Sequence, residues 1–243
     1  MKDVVYAYAQ DEMSQGEYQT ALDTLSSLTD YPAAEEPIRE CRYQLAMQAE
    51  ADGQYAKAYA EYADLGEYKD CADKAARFEN EYAAASALLA EGEYDNAKSA
   101  FEALKDYADA EKMAQESIYQ KGEKQLADGQ YDLALSTFSA LGTYKKAYDD
   151  ASYAQSRIDM QRGDYQKALD GLVKLMGYGY QEAEEPILEC RYQLAAQAEK
   201  NGQYAQAYAE YIDLGEYKDC EDKAARFENE YAAATALLAE GEY

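Results

Sequence analysis

Histidine is absent from the 243 residues of this sequence, and long apolar runs are absent too. Without histidine, the chain lacks the commonest general base and the commonest metal ligand. No glycine-rich loop follows a strand, and no residues have the spacing of zinc ligands. The sequence therefore predicts a protein that is not an enzyme, has no catalytic residues, binds no metal and needs no cofactor.

Basic residues are also scarce, because 23 Lys and Arg stand against 49 Asp and Glu, for a formal charge of -26. This balance argues against a nucleic-acid partner, since phosphates require a basic footprint. No run of 18 apolar residues occurs, so no membrane insertion is expected. Neither a signal peptide nor a spanning segment is visible, and we expect a cytoplasmic location. Only three prolines interrupt a chain rich in Ala, Leu, Tyr, Glu and Lys, which predicts an almost entirely helical fold.

A turn glycine returns along the whole chain at intervals of 34 to 39 residues. A period of this size over such a length predicts a solenoid of stacked repeat units. The glycine itself supplies the positive φ that ends a helix without a steric cost. The seven turn glycines are Gly16, Gly53, Gly92, Gly129, Gly163, Gly202 and Gly241.

Each of the first six turn glycines is followed by the same types of residue at offsets 2, 5, 9 and 12: tyrosine, alanine, a large apolar or aromatic residue, and leucine. These offsets step by three and four, which predicts one face of a short helix, here called B. Gly92 shows the pattern with Tyr94, Ala97, Phe101 and Leu104. The alanines at offset 5 are Ala21, Ala58, Ala97, Ala134, Ala168 and Ala207.

A second apolar stripe precedes each glycine and predicts a helix A. Tyrosine stands ten residues before the glycine, and a small residue stands seven before it. Because the small residue is present in every unit, we expect helix B to approach helix A closely there. Three residues before the glycine the position is apolar, except for Glu50 and Glu199. The small residues are Ala9, Ala46, Ala85, Gly122, Ser156, Ala195 and Ala234.

These A–turn–B units resemble the tetratricopeptide (TPR)-like helical repeat proteins of bacteria. The resemblance rests on the small residue in A, Gly-x-Tyr at the turn, Ala in B and an aromatic four residues later, and it covers nearly the whole chain. It departs from the usual pattern because no proline follows helix B and Tyr68-Lys69-Asp70-Cys71 is typical of that place. The resemblance implies an all-α, right-handed solenoid that binds a peptide or protein segment on the concave face of its A helices.

Taken in order, the chain predicts six A/B pairs and a terminal A helix, or 13 helices. We expect a single domain over residues 1–243 that is a segment of a longer array. Residues 35–94 return almost unchanged as 184–243, which indicates a tandem duplication. The chain stops at Gly241-Glu242-Tyr243, one turn into a B helix, so the last A helix should fray or self-associate through its stripe. The predicted ranges are 1–15 and 17–28, 34–52 and 54–65, 69–91 and 93–104, 108–128 and 130–141, 145–162 and 164–175, 184–201 and 203–214, and 218–240.

Cysteine and tyrosine are interpreted mainly as core residues. Cys71 and Cys220 occupy the place of Ala110 and Ala147, and helix spacing puts Cys41 too far from Cys71 for a disulfide. We therefore expect free thiols, which fit a reducing compartment. Most of the 27 tyrosines fall on the helical stripes. The five outside them are the surface candidates: Tyr8, Tyr59, Tyr148, Tyr180 and Tyr208.

An acid stands thirteen residues before every turn glycine, and it is the candidate partner-binding position. One interpretation is that each acid accepts a hydrogen bond from a tyrosine or pairs with a base. The other is a negatively lined groove for a basic protein segment, steered electrostatically. The function predicted is thus a binding scaffold, with a self-assembling rod of end-to-end repeats as the alternative. The seven acids are Asp3, Glu40, Glu79, Glu116, Asp150, Glu189 and Glu228.

Overall fold

Residues 1–240, the part of the chain that the computed structural model describes, form thirteen α-helices and two short 3-10 helices. The predicted number and alternation of A and B helices is confirmed over this range. The predicted start of a further B helix at Gly241-Glu242-Tyr243 lies outside the described residues. The helices are α1 (Lys2–Ser14), α2 (Tyr18–Ser26), α3 (Glu35–Ala51), α4 (Tyr55–Leu65), α5 (Cys71–Ala90), α6 (Tyr94–Ala103), α7 (Ala110–Ala127), α8 (Tyr131–Leu141), α9 (Ala147–Gln161), α10 (Tyr165–Gly177), α11 (Glu184–Lys200), α12 (Tyr204–Leu214) and α13 (Cys220–Glu240).

The turn between an A and a B helix is closed by its glycine, as the sequence predicts. Gly92 has φ +79°. Its amide donates to the carbonyl of Leu89 at 3.1 Å, and the amide of Glu93 donates to that of Leu88 at 2.9 Å. These two bonds satisfy carbonyls that the end of a helix otherwise leaves unpaired. Each A–B hairpin is therefore fixed locally by sequence.

The connections from each B helix to the next A helix differ more from the sequence prediction than the A–B turns do. Two of them contain a 3-10 helix that the sequence does not predict, at Pro32–Ala34 and Gln181–Ala183. Both precede an A helix that begins Glu-Glu-Pro, and proline near a helix start suits the fixed φ of its ring. Helix α10 also continues to Gly177, two residues beyond its predicted end.

The helices pack in chain order within two units, Met1–Gln120 and the part from Lys121 onward. In the first unit each helix from α1 to α6 contacts the next one along the chain. In the second unit the same holds from α8 to α13. Contacts between sequential neighbours of this kind are the organisation expected of a repeat array.

The core lies between the A and B helices at the predicted small residues. All six alanines at offset 5 of helix B are fully buried, together with the large residues at offset 9 such as Phe101 and Phe138. The approach is close at Gly122, where a Cβ atom would lie 2.6 Å from the Phe138 ring. The small-residue contact predicted from the sequence is confirmed.

Candidate functional site

The seven candidate acids lie on A helices, and at least six of them accept a tyrosine hydroxyl. Asp3, Glu79 and Glu228 are exposed, whereas Asp150 is buried. The interpretation that the acids hold tyrosines is therefore confirmed for those six. The donor–acceptor pairs are Tyr31–Asp3 at 2.9 Å, Tyr68–Glu40 at 2.8 Å, Tyr59–Glu79 at 2.7 Å, Tyr180–Asp150 at 2.8 Å, Tyr217–Glu189 at 2.8 Å and Tyr208–Glu228 at 2.7 Å, while the amide of Gln120 donates to Glu116 at 3.0 Å.

Glu40 and Glu189, which are both half-buried, are held in their charged form. Burial works to raise the pKa of Glu40, but hydrogen bonds from Gln44, Lys69 and Tyr68 outweigh it and the pKa is lowered. The pKa of Glu189 is lowered by the equivalent set of donors. Both carboxylates therefore remain ionised at neutral pH while they accept the hydroxyls of Tyr68 and Tyr217.

Tyr180 corrects the sequence interpretation of the surface tyrosines. It is 7% exposed and donates to the buried Asp150, whereas Tyr178, which falls on the tyrosine stripe, is 82% exposed. The reason is the longer α10 and its connection, which move the tyrosine that reaches back to the acid by two residues. Of the other surface candidates, Tyr8 and Tyr148 are exposed, while Tyr59 and Tyr208 are half-buried.

Glu50 and Glu199, the exceptions in the A-helix stripe, form a second polar contact that sequence reasoning missed. Glu50 accepts the hydroxyl of Tyr62 at 2.8 Å and the guanidinium of Arg77 at 2.7 Å. Glu199 binds Tyr211 in the same way at 2.9 Å. The signal was present in the sequence, because glutamate replaces Met or Leu only in the two units where tyrosine stands at offset 9 of helix B.

An open groove that could accept a ligand lies between α12 and α13. Its volume is about 670 Å³, and its walls are aromatic. The Tyr208 and Phe227 rings lie 6.4 Å apart at 79°, and the Tyr204 ring is 5.9 Å from Phe227. We call this the α12–α13 groove and define it by Tyr204, Tyr208, Phe227, Glu228 and Tyr231, of which Glu228 is one of the candidate acids.

The duplicated sequence provides an equivalent site between α4 and α5, which is filled by the chain itself. Tyr59 and Phe78 meet at 6.3 Å and 83°, nearly the geometry of Tyr208 and Phe227. The ring of Tyr107 then stacks on Phe78 with centroids 5.4 Å apart. Tyr107 follows α6 and is 7% exposed.

The two sites therefore have the same types of residue, but only the α4–α5 site is covered by a following segment of the chain. Leu238 is 62% exposed, whereas the equivalent Leu89 is 8% exposed, and Tyr231 is 77% exposed. Ala85 is fully buried, while Ala234, the corresponding small residue, is exposed. These three residues of the last A helix are uncovered, and its predicted fraying or self-association stays a prediction.

The repeated helical hairpin is the unit of this fold. In each hairpin a B-helix alanine is buried, and each hairpin is closed by a glycine turn and packs on its chain neighbours. The described residues form an all-α array of helical hairpins. No protein-family model matches the sequence, and no curated protein is significantly similar to it. A solved tetratricopeptide repeat protein from Parabacteroides merdae is 14% identical over 92% of this chain and 97% of its own, with a TM-score of 0.29, too low for the likeness to support any conclusion.

No group of three or more Cys, Asp or Glu within residues 1–240 is arranged to hold a metal ion. None of the helices described is both long and apolar enough to cross a membrane. The four cysteines are buried free thiols, and burial raises the pKa of Cys41 to about 11, away from the thiolate form.

Proposed function

We propose that this protein is a non-enzymatic protein-interaction scaffold and that the α12–α13 groove is where it binds a segment of another protein. The observation that carries the proposal is an aromatic cavity of about 670 Å³ whose walls keep the geometry of a filled site elsewhere in the chain. Cavities of this size bind ligands, and tyrosine, phenylalanine and arginine dominate the energetics of protein interfaces.

The charge of the chain supports a basic rather than an acidic partner. The groove carries Glu228 and Glu230 beside Arg226, which is already bound to Glu199. The row of acids on the A helices adds a negative field that would speed the approach of a basic segment. In this proposal those acids act mainly through their charge, because their oxygens are already hydrogen-bonded to tyrosines.

The test compares what the chain captures from a lysate of its source cell with what groove variants capture. Tyr204→Ala combined with Tyr231→Ala should lose the partner, since both rings are largely exposed and their removal leaves the core intact. Tyr148→Ala, which removes an equally exposed tyrosine on α9, should retain it. Capture by the groove variant equal to that by the Tyr148→Ala control would contradict the proposal.

Self-assembly into a rod is the second candidate, and one observation favours it. Tyr231, Leu237 and Leu238 of α13 are all about half exposed or more, and they form an apolar stripe on an A helix. Light scattering at rising protein concentration tests this candidate. Growth of the particle that Tyr231→Ala abolishes would support it, and a particle of constant mass would exclude it.

A further inference from the structure

We infer that the first hairpin, formed by α1 and α2, holds a separate binding site in which the buried carboxylate of Glu12 receives the side-chain ammonium of a lysine from a basic protein segment. The hairpin lies in the first of the two packed units, and the α12–α13 groove lies in the second. The inference therefore goes beyond the proposed function, and each can fail without the other.

Glu12 is a buried acid that lacks a partner. It is 7% exposed, and no group within residues 1–240 donates a hydrogen bond to its buried Oε2 atom. Its charge contributes, after burial and Glu40, to raising the pKa of the Cys41 thiol on α3, so the following A helix passes close to it. A buried carboxylate oxygen without a donor is unfavourable, and a cation is the donor that relieves it best.

The first hairpin has no cation that could serve Glu12. Lys2 is the only base on α1 and α2, and its Nζ donates to the carbonyl of Thr29 at 2.5 Å. The other charged residues of the two helices and their turn are all acids: Asp3, Asp11, Glu17 and Asp23. A donor for Glu12 must therefore come from outside the hairpin.

The fifth repeat unit contains a corresponding acid with its cation in place. Asp159 and Glu12 each stand four residues before a turn glycine, and Asp159 is 3% exposed. Lys167, four residues after the glycine, places its Nζ 2.9 Å from Asp159 Oδ1 although most of its side chain is exposed. A lysine can thus reach this buried position from solvent. In the first hairpin the residue at the place of Lys167 is Thr20, which is exposed and carries no charge.

The chemistry of the site selects a primary ammonium group. A single carboxylate provides too few ligands for a calcium or magnesium ion. A compact ammonium on a flexible stem enters a narrow site more easily than a planar guanidinium does. The surrounding acids of the hairpin attract a positively charged segment and would speed its approach. A lysine within a basic segment meets these three conditions.

The test titrates the isotope-labelled chain with Nα-acetyl-lysine amide and follows backbone amides by NMR. The amides of Gly16 and Glu17 are the reporters, because they donate to the carbonyls of Met13 and Glu12. Both should shift in a saturable manner, whereas Nα-acetyl-norleucine amide, which lacks only the amino group, should not shift them. Glu12→Gln should weaken lysine binding at least about tenfold, through loss of the charged acceptor.

Matched variants exchange the open and the filled site. Thr20→Lys should supply the cation within the chain and abolish the response of Gly16 and Glu17 to added lysine. Lys167→Thr should open the second site, so that the amide of Gly163 responds where it does not in the parent chain. The inference is overturned if Glu12→Gln or Thr20→Lys binds like the parent, or if Lys167→Thr leaves Gly163 unresponsive. It is also overturned if Gly163 of the parent responds as Gly16 does, since the binding is then nonspecific.

A measurement of stability tests the geometry independently of a weak ligand. Thr20→Lys should raise the urea midpoint of unfolding above that of Thr20→Met, which has a similar helix propensity and no charge. The difference should vanish when both are combined with Glu12→Gln. Equal midpoints for Thr20→Lys and Thr20→Met would overturn the pairing.

A last comparison separates a protein lysine from a free polyamine. A trilysine peptide with blocked ends should bind the Glu12 site at least as tightly as spermidine, which carries the same charge. Tighter binding of spermidine would overturn the protein partner. None of these outcomes bears on the α12–α13 groove, whose own test uses Tyr204 and Tyr231.

Discussion

Single small residues set how closely the helices of each hairpin approach. Alanine occupies most of these positions, and Gly122 is the case in which even a methyl group does not fit beside Phe138. The sequence predicts where the small residue stands, because it recurs at the same place in every unit. The sequence does not predict how closely the two helices of a given unit approach, since this depends on the side chain that the facing helix supplies.

Gly122→Ala should destabilise the chain although alanine is the better helix former. Overpacking a core costs about 1–3 kcal/mol, whereas the change of helix propensity returns about 1 kcal/mol. We expect a net loss of up to about 2 kcal/mol in the free energy of unfolding, measured by urea denaturation.

Gly177→Ala is the matched control, because no atom lies within 4 Å of a Cβ built there and the residue is helical. It should stabilise the chain by no more than about 1 kcal/mol. A Gly122→Ala variant that is stabilised as much as Gly177→Ala would show that the Phe138 ring yields at no cost and that the contact is not tight.

At the scale of the helix, a prediction from sequence succeeds where the determinants are local. Glycine turns and apolar periodicity predicted the ends of the helices to within a few residues, because helix caps and apolar stripes depend on residues of a single hairpin. The exchange of Tyr178 for Tyr180 was missed because the length of α10 decides which tyrosine reaches Asp150. The Glu50–Tyr62 contact was missed because its two members lie on different helices.

The contacts of Glu50 and Glu199 make stability depend on pH. Burial works to raise the pKa of Glu50, but hydrogen bonds from Tyr62 and Arg77 lower it, and the pKa of Glu199 is lowered likewise. A carboxylate with a lowered pKa stabilises the fold above its unfolded pKa, near 4.3, and this contribution is lost as the pH falls through the folded value.

Glu50→Gln combined with Glu199→Gln should therefore reduce the loss of unfolding free energy between pH 6 and about pH 3.5. At pH 6 the variant should be less stable than the parent, because glutamine binds Arg77 and Arg226 less strongly. The exposed Glu67→Gln is the control and should leave the pH dependence as it is. An unchanged pH dependence in the double variant would exclude these carboxylates as its source.

At the scale of the whole molecule, two nearly identical stretches of sequence have different surroundings. Residues 78–89 and 227–238 differ only at Ser86 and Thr235, so no local rule separates them. The first stretch is covered by α6 and Tyr107, and the second exposes Tyr231 and Leu238. The candidate site could therefore be predicted from the sequence only as an uncovered stripe, whereas its shape and its filled counterpart required the structure.

Native-state hydrogen exchange of these two stretches tests the central claim that the α12–α13 groove is an open form of a site closed elsewhere. Their intrinsic exchange rates are nearly equal because their sequences are, so a difference reports protection alone. We predict that amides of residues 227–238 exchange at least about tenfold faster than those of residues 78–89 in the free chain. Equal protection of the two stretches would contradict the account.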